Sequence, residues 1–388
     1  MYNQIYFWVN ETVRFAKMFG VIIFIAIIGF SFTSCSDGDG EWGAEPPTGG
    51  DSPSSGSTLP AQLLGIYTNA ESNSEHTIEL TGNGKIGAQS LSFSGRSNIT
   101  IRLTSSGGEK IISLSDNGSL FTIGSSVNLI IDNGVTLLGH NENNAPLIRV
   151  QSGGTLIMKA GSKISGNTRR NYSGGGIVVD AGGIFLMEGG EVSGNGLGYG
   201  TGAGVYVDDG AEFQMSGGKI SGNTTASGYG GGGVYVANGR FIMIGGEISS
   251  NKASIGGGVE VESGNFTMEG GKIFGNTANT NSTSSGGGGV YVSKTIFTMN
   301  GGEIAFNTAP SGGGVFVASN AGIAKTGGII YGYTIGDSNR NTATSGISSN
   351  NRGHAVFVNS SPGKRRETTA GPELNLDSDI TGAFGGWE

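Results

Sequence analysis

The chain has 388 residues, 76 of them Gly, roughly one in five where ordinary domains carry about 7%. No G-X-Y period runs through it and it holds only 8 Pro, which excludes collagen, while 36% apolar residues, with 18 Phe and 11 Tyr to bury, exclude a disordered Gly/Ser linker. The net charge is −8, and no basic cluster occurs beyond Lys364-Arg365-Arg366, so no nucleic acid is expected among the partners. Charged residues make up only 13%, leaving the surface to Ser, Thr, Asn and Gly.

The first segment reads as an address. Arg14 and Lys17 precede the apolar run Met18–Phe32, which ends in Ser34-Cys35. A run of that length is short of the roughly 20 residues that cross a bilayer and suits the h-region of a signal peptide, assigned to residues 1–34. Cys35 is the only cysteine, so no disulfide can form within the chain. Its place in Phe32-Thr33-Ser34-Cys35 resembles a bacterial lipobox, with Phe32 standing where most lipoboxes have Leu, and implies lipidation at Cys35. Residues 35–60 are rich in Gly, Ser, Pro and acid and read as a flexible tether.

Residues 61–160 carry short apolar strings such as Ile99-Thr-Ile-Arg-Leu and Val127-Asn-Leu-Ile-Ile, read as degenerate coils of a β-helix. Over 161–358 a regular unit runs Gly-Gly-Gly-Val-Tyr-Val, then Phe-x-Met-x-Gly-Gly, then Lys/Glu-Ile-x-x-Asn. Second elements begin at Phe185, Phe213, Phe241, Phe266 and Phe297, and third elements centre on Val192, Ile220, Ile248, Ile273 and Ile304, always 7 residues later. The length variation lies between the closing Asn and the next Gly run, which marks that segment as a free loop. Three period-2 segments per unit, none able to bury its apolar face alone, predict an all-β fold: a right-handed parallel β-helix of three-strand coils, about ten in number. Val205 and Val207 point inward and Tyr206 outward; Glu260, the equivalent of Tyr206, is expected to face water. Residues 359–388 form the C-terminal cap or tail, with Lys364 to Pro372 as loop and Leu374–Asp377 over the last coil.

Stacking accounts for two columns of side chains. Lys163, Glu191, Lys219, Glu247, Lys272 and Glu303 alternate in sign, so that a one-coil slip would set like charges side by side. Asn167, Asn195, Asn223, Asn251, Asn276 and Asn307 close the units; they are expected to take left-handed geometry and to bond their neighbours above and below.

The Gly-Gly-Gly-Val/Ile and Ile-x-x-Asn elements, spanning about Ala145 to Val358, resemble the repeats of chlamydial polymorphic outer-membrane proteins. They resemble still more the Gly-rich repeat lipoproteins of treponemal spirochaetes. The resemblance implies the pectin-lyase-like right-handed β-helix and a surface protein with a role in adhesion or antigen display. Ile stands where the chlamydial FxxN signature has Phe, and the C-terminus lacks a translocator barrel.

Chemistry is sparse. Asp180 and Asp208 hold the same position in adjacent coils, with Asp209 beside the second and Glu262 two coils on, a weak Ca²⁺ candidate interrupted by Ala237. His76, His140 and His354 sit in separate segments without catalytic or metal-ligand spacing. Tyr206, Tyr235, Tyr291 and Phe316 form an outward aromatic column that could face a ligand or simply stabilise the sheet. No catalytic residue and no cofactor is assigned. The expectation is an exported, monomeric, cell-envelope lipoprotein of the outer membrane, held by its lipid anchor, acting as an adhesin-like scaffold toward a host protein or glycan. A polysaccharide lyase or hydrolase on the same fold is the alternative.

Overall fold

In a computed structural model, residues 58–226, 228–280, 285–332, 338–344 and 354–359 are described, together with the backbone of two short strands at 364–366 and 380–381. The signal segment, Cys35 and most of the tether lie outside the described residues.

Successive coils add strands in parallel to growing sheets, as expected for a right-handed β-helix. The first sheet contains the Val-Tyr-Val strands, the second the Phe-x-Met strands and the third the Lys/Glu-Ile strands. The second sheet has eleven strands, of which the last is antiparallel, so ten parallel strands carry about nine turns. Register repeats without a slip: Phe185 pairs with Phe213, Phe213 with Phe241 and Phe241 with Phe266.

The coil differs from expectation in having four strands. Two-residue strands directly after the closing Asn, among them Thr168–Arg169, Gly196–Leu197, Thr224–Thr225 and Thr277–Ala278, build a seven-stranded fourth sheet inside the segment read as free loop. The small residue in this strand, such as Ala253, Ala278 or Ala309, is buried, which ties the start of each loop to the body. The variable length is confined to the residues between this short strand and the next Gly run.

Inside, identical residues stack on themselves. Phe185, Phe213, Phe241, Phe266 and Phe297 are buried with successive ring centroids 4.6, 4.6, 4.7 and 4.8 Å apart and planes within 10°. Each such ring contributes about 1.5–3 kcal/mol of burial. The near face-to-face geometry is imposed by the rise of one strand per coil, close to 4.8 Å.

Both ends are closed. Helix α1 (Leu59–Asn69) buries Leu59, Leu63 and Ile66 against the first coil. It occupies residues read as tether and degenerate coil. The 4- and 3-residue spacing of those side chains, with Pro60 in the first turn, is a helical signal too short to stand out beside a Gly/Ser/Pro segment. At the other end Lys364–Arg366 pairs antiparallel with Val356–Val358, correcting the loop assignment there, and Ile380–Thr381 pairs antiparallel with Gly322–Lys325. Reversed strands terminate the parallel stack, as solenoid ends require. Leu374–Asp377 lie outside the described residues.

Candidate functional site

The Asn column is a continuous internal ladder. Asn251 Nδ2 donates to the Ile220 carbonyl at 2.9 Å and to Asn276 Oδ1 at 3.0 Å, while its Oδ1 accepts from the backbone N–H and the Nδ2 of Asn223, each at 3.0 Å. The pattern repeats at Asn223, Asn276 and Asn307, and extends to Asn143 and Asn341. All are buried. The left-handed conformation falls not on Asn but on the residue before it: Gly194 (φ +63°), Gly222 (+65°), Ser250 (+56°), Gly275 (+64°) and Phe306 (+57°). That residue makes the bend, which leaves Asn free to point inward.

The charge ladder resolves into pairs. Lys219 meets Glu247 at 2.9 Å, Lys272 meets Glu303 at 2.9 Å and Lys163 meets Glu191 at 3.6 Å. Burial pushes the Glu247 carboxyl up, but the hydrogen bond from Ser249 and the ammonium of Lys219 outweigh it and hold the group below its usual value. A shallow groove beside the ladder is lined by Glu109, Lys163, Glu188, Glu191 and Lys219. Its acids are engaged: Glu188 by Lys159, Glu191 by Lys163 and Glu109 by the hydroxyl of Thr136.

The outer face of the first sheet stacks as the sequence suggests, but it is covered. Tyr206 lies on Tyr235 with centroids 5.3 Å apart, and Tyr291 on Phe316 at 5.1 Å. Tyr235 is 8% exposed and Phe316 fully buried, while Tyr206 and Tyr291 are half-buried. The Gly run before each strand folds back over its outward side chain. At Gly256 (φ +55°) a Cβ would stand 2.8 Å from the Cβ of Glu260, so only glycine permits the approach.

Glu260 is therefore corrected: it does not face water. It is 7% exposed, beneath Gly230 and Gly256, and its Oε2 has no hydrogen-bond partner among the described residues. Burial, and then the nearby Glu262 carboxylate, push its pKa up to about 8. A carboxyl is tolerated here because it stays protonated at neutral pH. Beside it, Tyr235 donates its hydroxyl to Glu262 and Lys294 pairs with Glu262 at 2.9 Å, which hold that carboxylate low. Burial, then Asp208 and Glu262, push the Tyr206 phenol up to about 12.

Asp180 and Asp208 follow the paired Val179 and Val207 and so stand side by side in adjacent coils, but they do not gather into a larger cluster. Asp180 pairs with Arg149 at 2.7 Å, and Asp209 accepts from Asn238 at 2.8 Å. Among the described residues no group of three or more His, Cys, Asp or Glu is placed to hold a metal ion. His76 lies against Ser74, His140 against the carbonyls of Asn141 and Asp116, and His354 accepts the Ala343 amide, in three separate places.

The exposed tyrosines lie elsewhere, on the loop edge between the fourth and first sheets, while the exposed Phe306 stands at the bend before Asn307. Tyr172 is 75% exposed and Tyr199 62%, and Tyr199 meets Tyr229 edge-on at 6.2 Å. Arg169 sits 5.4 Å from the Tyr172 ring centre. One Tyr stands in each of three consecutive variable segments, Asn171-Tyr-Ser, Gly198-Tyr-Gly and Gly228-Tyr-Gly. That recurrence is present in the sequence, but it lies outside the regular frame of the repeat, where no fixed spacing draws notice to it. No described helix is long and apolar enough to cross a membrane. Comparison of the chain with protein-family models, curated proteins and solved structures gave no match.

Proposed function

We propose that the chain is a lipid-anchored β-helix of the cell envelope, an adhesin-like display scaffold without catalytic activity. The observation that carries this reading is the division of labour within each coil. Inward positions, the Asn column and the charge pairs are given to stacking, while variation in length and the exposed tyrosines are confined to one loop edge. A rigid scaffold presenting variable loops is the usual arrangement of a recognition surface. The lipobox-like segment ending at Cys35, and the likeness to treponemal and chlamydial repeats, favour an envelope address.

Labelling with radioactive palmitate tests the anchor: the wild type is expected to label and Cys35→Ser to lose the label. Protease added to intact cells is expected to degrade the solenoid if it is displayed outside. A glycan-degradation screen with and without Ca²⁺ tests the absence of catalysis, and cleavage in either condition would overturn it.

A further inference from the structure

The geometry points to the edge formed by Tyr172, Tyr199 and Tyr229, with Arg169, as a binding site for an anionic glycan chain, carboxylate- or sulfate-bearing, lying along the solenoid axis. The inference rests on the display-scaffold reading and gives that scaffold a ligand class.

Four observations converge. First, these tyrosines occur one per coil in three consecutive coils, and the backbone rise per coil, about 4.8 Å, is close to the length of one pyranose unit. The loops beneath them are in register: Gly174 N–H donates to the Thr201 carbonyl at 3.0 Å, Gly202 N–H to the Gly230 carbonyl at 3.1 Å, and Ser173 and Thr201 share a hydroxyl contact at 3.1 Å. Tyr172 and Tyr229 stand 5 residues before Ile177 and Val234, while Tyr199 stands 6 before Val205 and meets Tyr229 edge-on at 6.2 Å, so a glycan chain would meet one ring per coil, turned differently at the middle step.

Second, Tyr172 is held at φ +71°, a left-handed conformation that costs a bulky residue roughly 1–2 kcal/mol. Its ring is nonetheless left mostly in water, so packing does not explain the strain. Such outliers concentrate where a side chain must be presented.

Third, the charge is arranged for an anion. Arg149 pairs with Asp180 and Arg170 with Glu142 at 2.6 Å, but Arg169 bonds only backbone carbonyls, those of Asn144, Ser173 and Gly174. Among the described residues it has no carboxylate partner, and its Nη2 makes no hydrogen bond. A planar guanidinium with unused donors, beside an exposed ring, suits a carboxylate or sulfate group.

Fourth, the loops carry hydroxyls, amides and glycine around the rings. Arg170–Gly176, Gly198–Gly204 and Gly228–Gly233 contain Tyr, Ser, Thr, Asn, Arg, Gly and Ala, and no larger aliphatic side chain. Protein interfaces centre on an apolar, desolvated patch, which this edge does not supply; aromatic faces among hydroxyl and amide donors match a glycan.

The test uses the full-length chain in detergent micelles, with a fluorescent chondroitin sulfate hexasaccharide as probe and cellohexaose as the neutral comparison. The wild type is expected to bind the sulfated probe at least tenfold more tightly, with affinity falling as salt rises from 50 to 200 mM. Tyr172→Ala/Tyr199→Ala, both exposed and so compatible with the fold, should weaken binding at least tenfold with an unchanged circular dichroism spectrum. Arg169→Lys should reduce the preference for the sulfated probe. Absence of binding, equal binding of the neutral hexaose, or indifference to the double substitution would overturn the assignment, as would tyrosine-dependent capture of peptides from a random library without binding of the glycan. The measurement is made in solution. Tight binding with an unlabelled Cys35 would therefore uphold this site while removing the anchor.

Discussion

Truncating one rung of the internal Asn ladder should destabilise the solenoid far more than its single side chain suggests. Asn251→Ala removes four hydrogen bonds, two donated and two accepted, from a residue that is 1% exposed. Two of the partners keep other bonds: Asn223 Nδ2 still donates to the Val192 carbonyl, and Asn276 Oδ1 still accepts from the Asn251 backbone amide. The Asn223 N–H does not, because Asn251 Oδ1 is its acceptor, and the Ile220 carbonyl loses a donor. Each buried group left unpaired costs about 1–3 kcal/mol, so a loss of about 3–5 kcal/mol is expected, a large share of the roughly 5–15 kcal/mol that holds a domain together. In a solenoid each coil contacts only its neighbours, so the loss should concentrate around this coil. Urea unfolding with hydrogen exchange of individual amides measures both quantities. The Asn223 amide should exchange fastest relative to wild type, with the effect fading over one or two coils. A destabilisation below about 1 kcal/mol, with Asn223 still protected, would show that the ladder is ornamental and refute the reasoning.

Glu260 makes stability pH-dependent in an unusual direction. Its folded pKa, near 8, lies above that of an unfolded carboxyl, so the folded form is favoured fully below about pH 4.5 and progressively less as pH rises through 8. Thermal unfolding at pH 5 and 8.5 should show this slope in the wild type and a flatter one in Glu260→Gln; identical slopes would mean that the carboxyl is not sealed in. Backbone strain can be tested on its own at the bend before the Asn. Gly222→Ala meets no atom closer than 4.0 Å but must keep φ +65°, so it should cost about 1 kcal/mol, while Ser250→Gly should gain roughly half that by urea denaturation. Lys219→Glu would place three acids in a row beside Glu191 and Glu247, and should lower the unfolding midpoint modestly at low salt and hardly at all in 1 M NaCl.

Periodicity made the architecture legible because each coil repeats the same physical problem. A constant step of 7 from Phe213 to Ile220 and from Phe241 to Ile248 can only be met by two strands and a turn of constant shape. The alternating charges and the Asn column were legible for the same reason. What the pattern could not convey was the path of the Gly runs. A run of glycines specifies no side-chain contact, so nothing in Gly-Gly-Gly-Val-Glu-Val announces that the chain turns back over its own strand, buries Glu260, Tyr235 and Phe316 and half-covers Tyr206 and Tyr291. The fourth strand escaped for a related reason. Two residues, Thr-Ala or Thr-Thr, are too few to register as alternation, and their pairing depends on the coil above being in place.

The amino-acid sequence by itself determined the repeat, the number of coils to within one, and which side chains stack in the core. Inward burial at 4.8 Å spacing leaves identical residues no other neighbours. Only the tertiary structure decided which of the outward aromatics reach solvent. Tyr206 and Tyr172 differ little in composition of surroundings, both being flanked by Gly-rich segments, yet one lies beneath a folded-back loop and the other stands on the edge of one. Exposure is a property of how chain segments close over one another, and in this protein it moves the candidate recognition surface from the sheet to the loop edge.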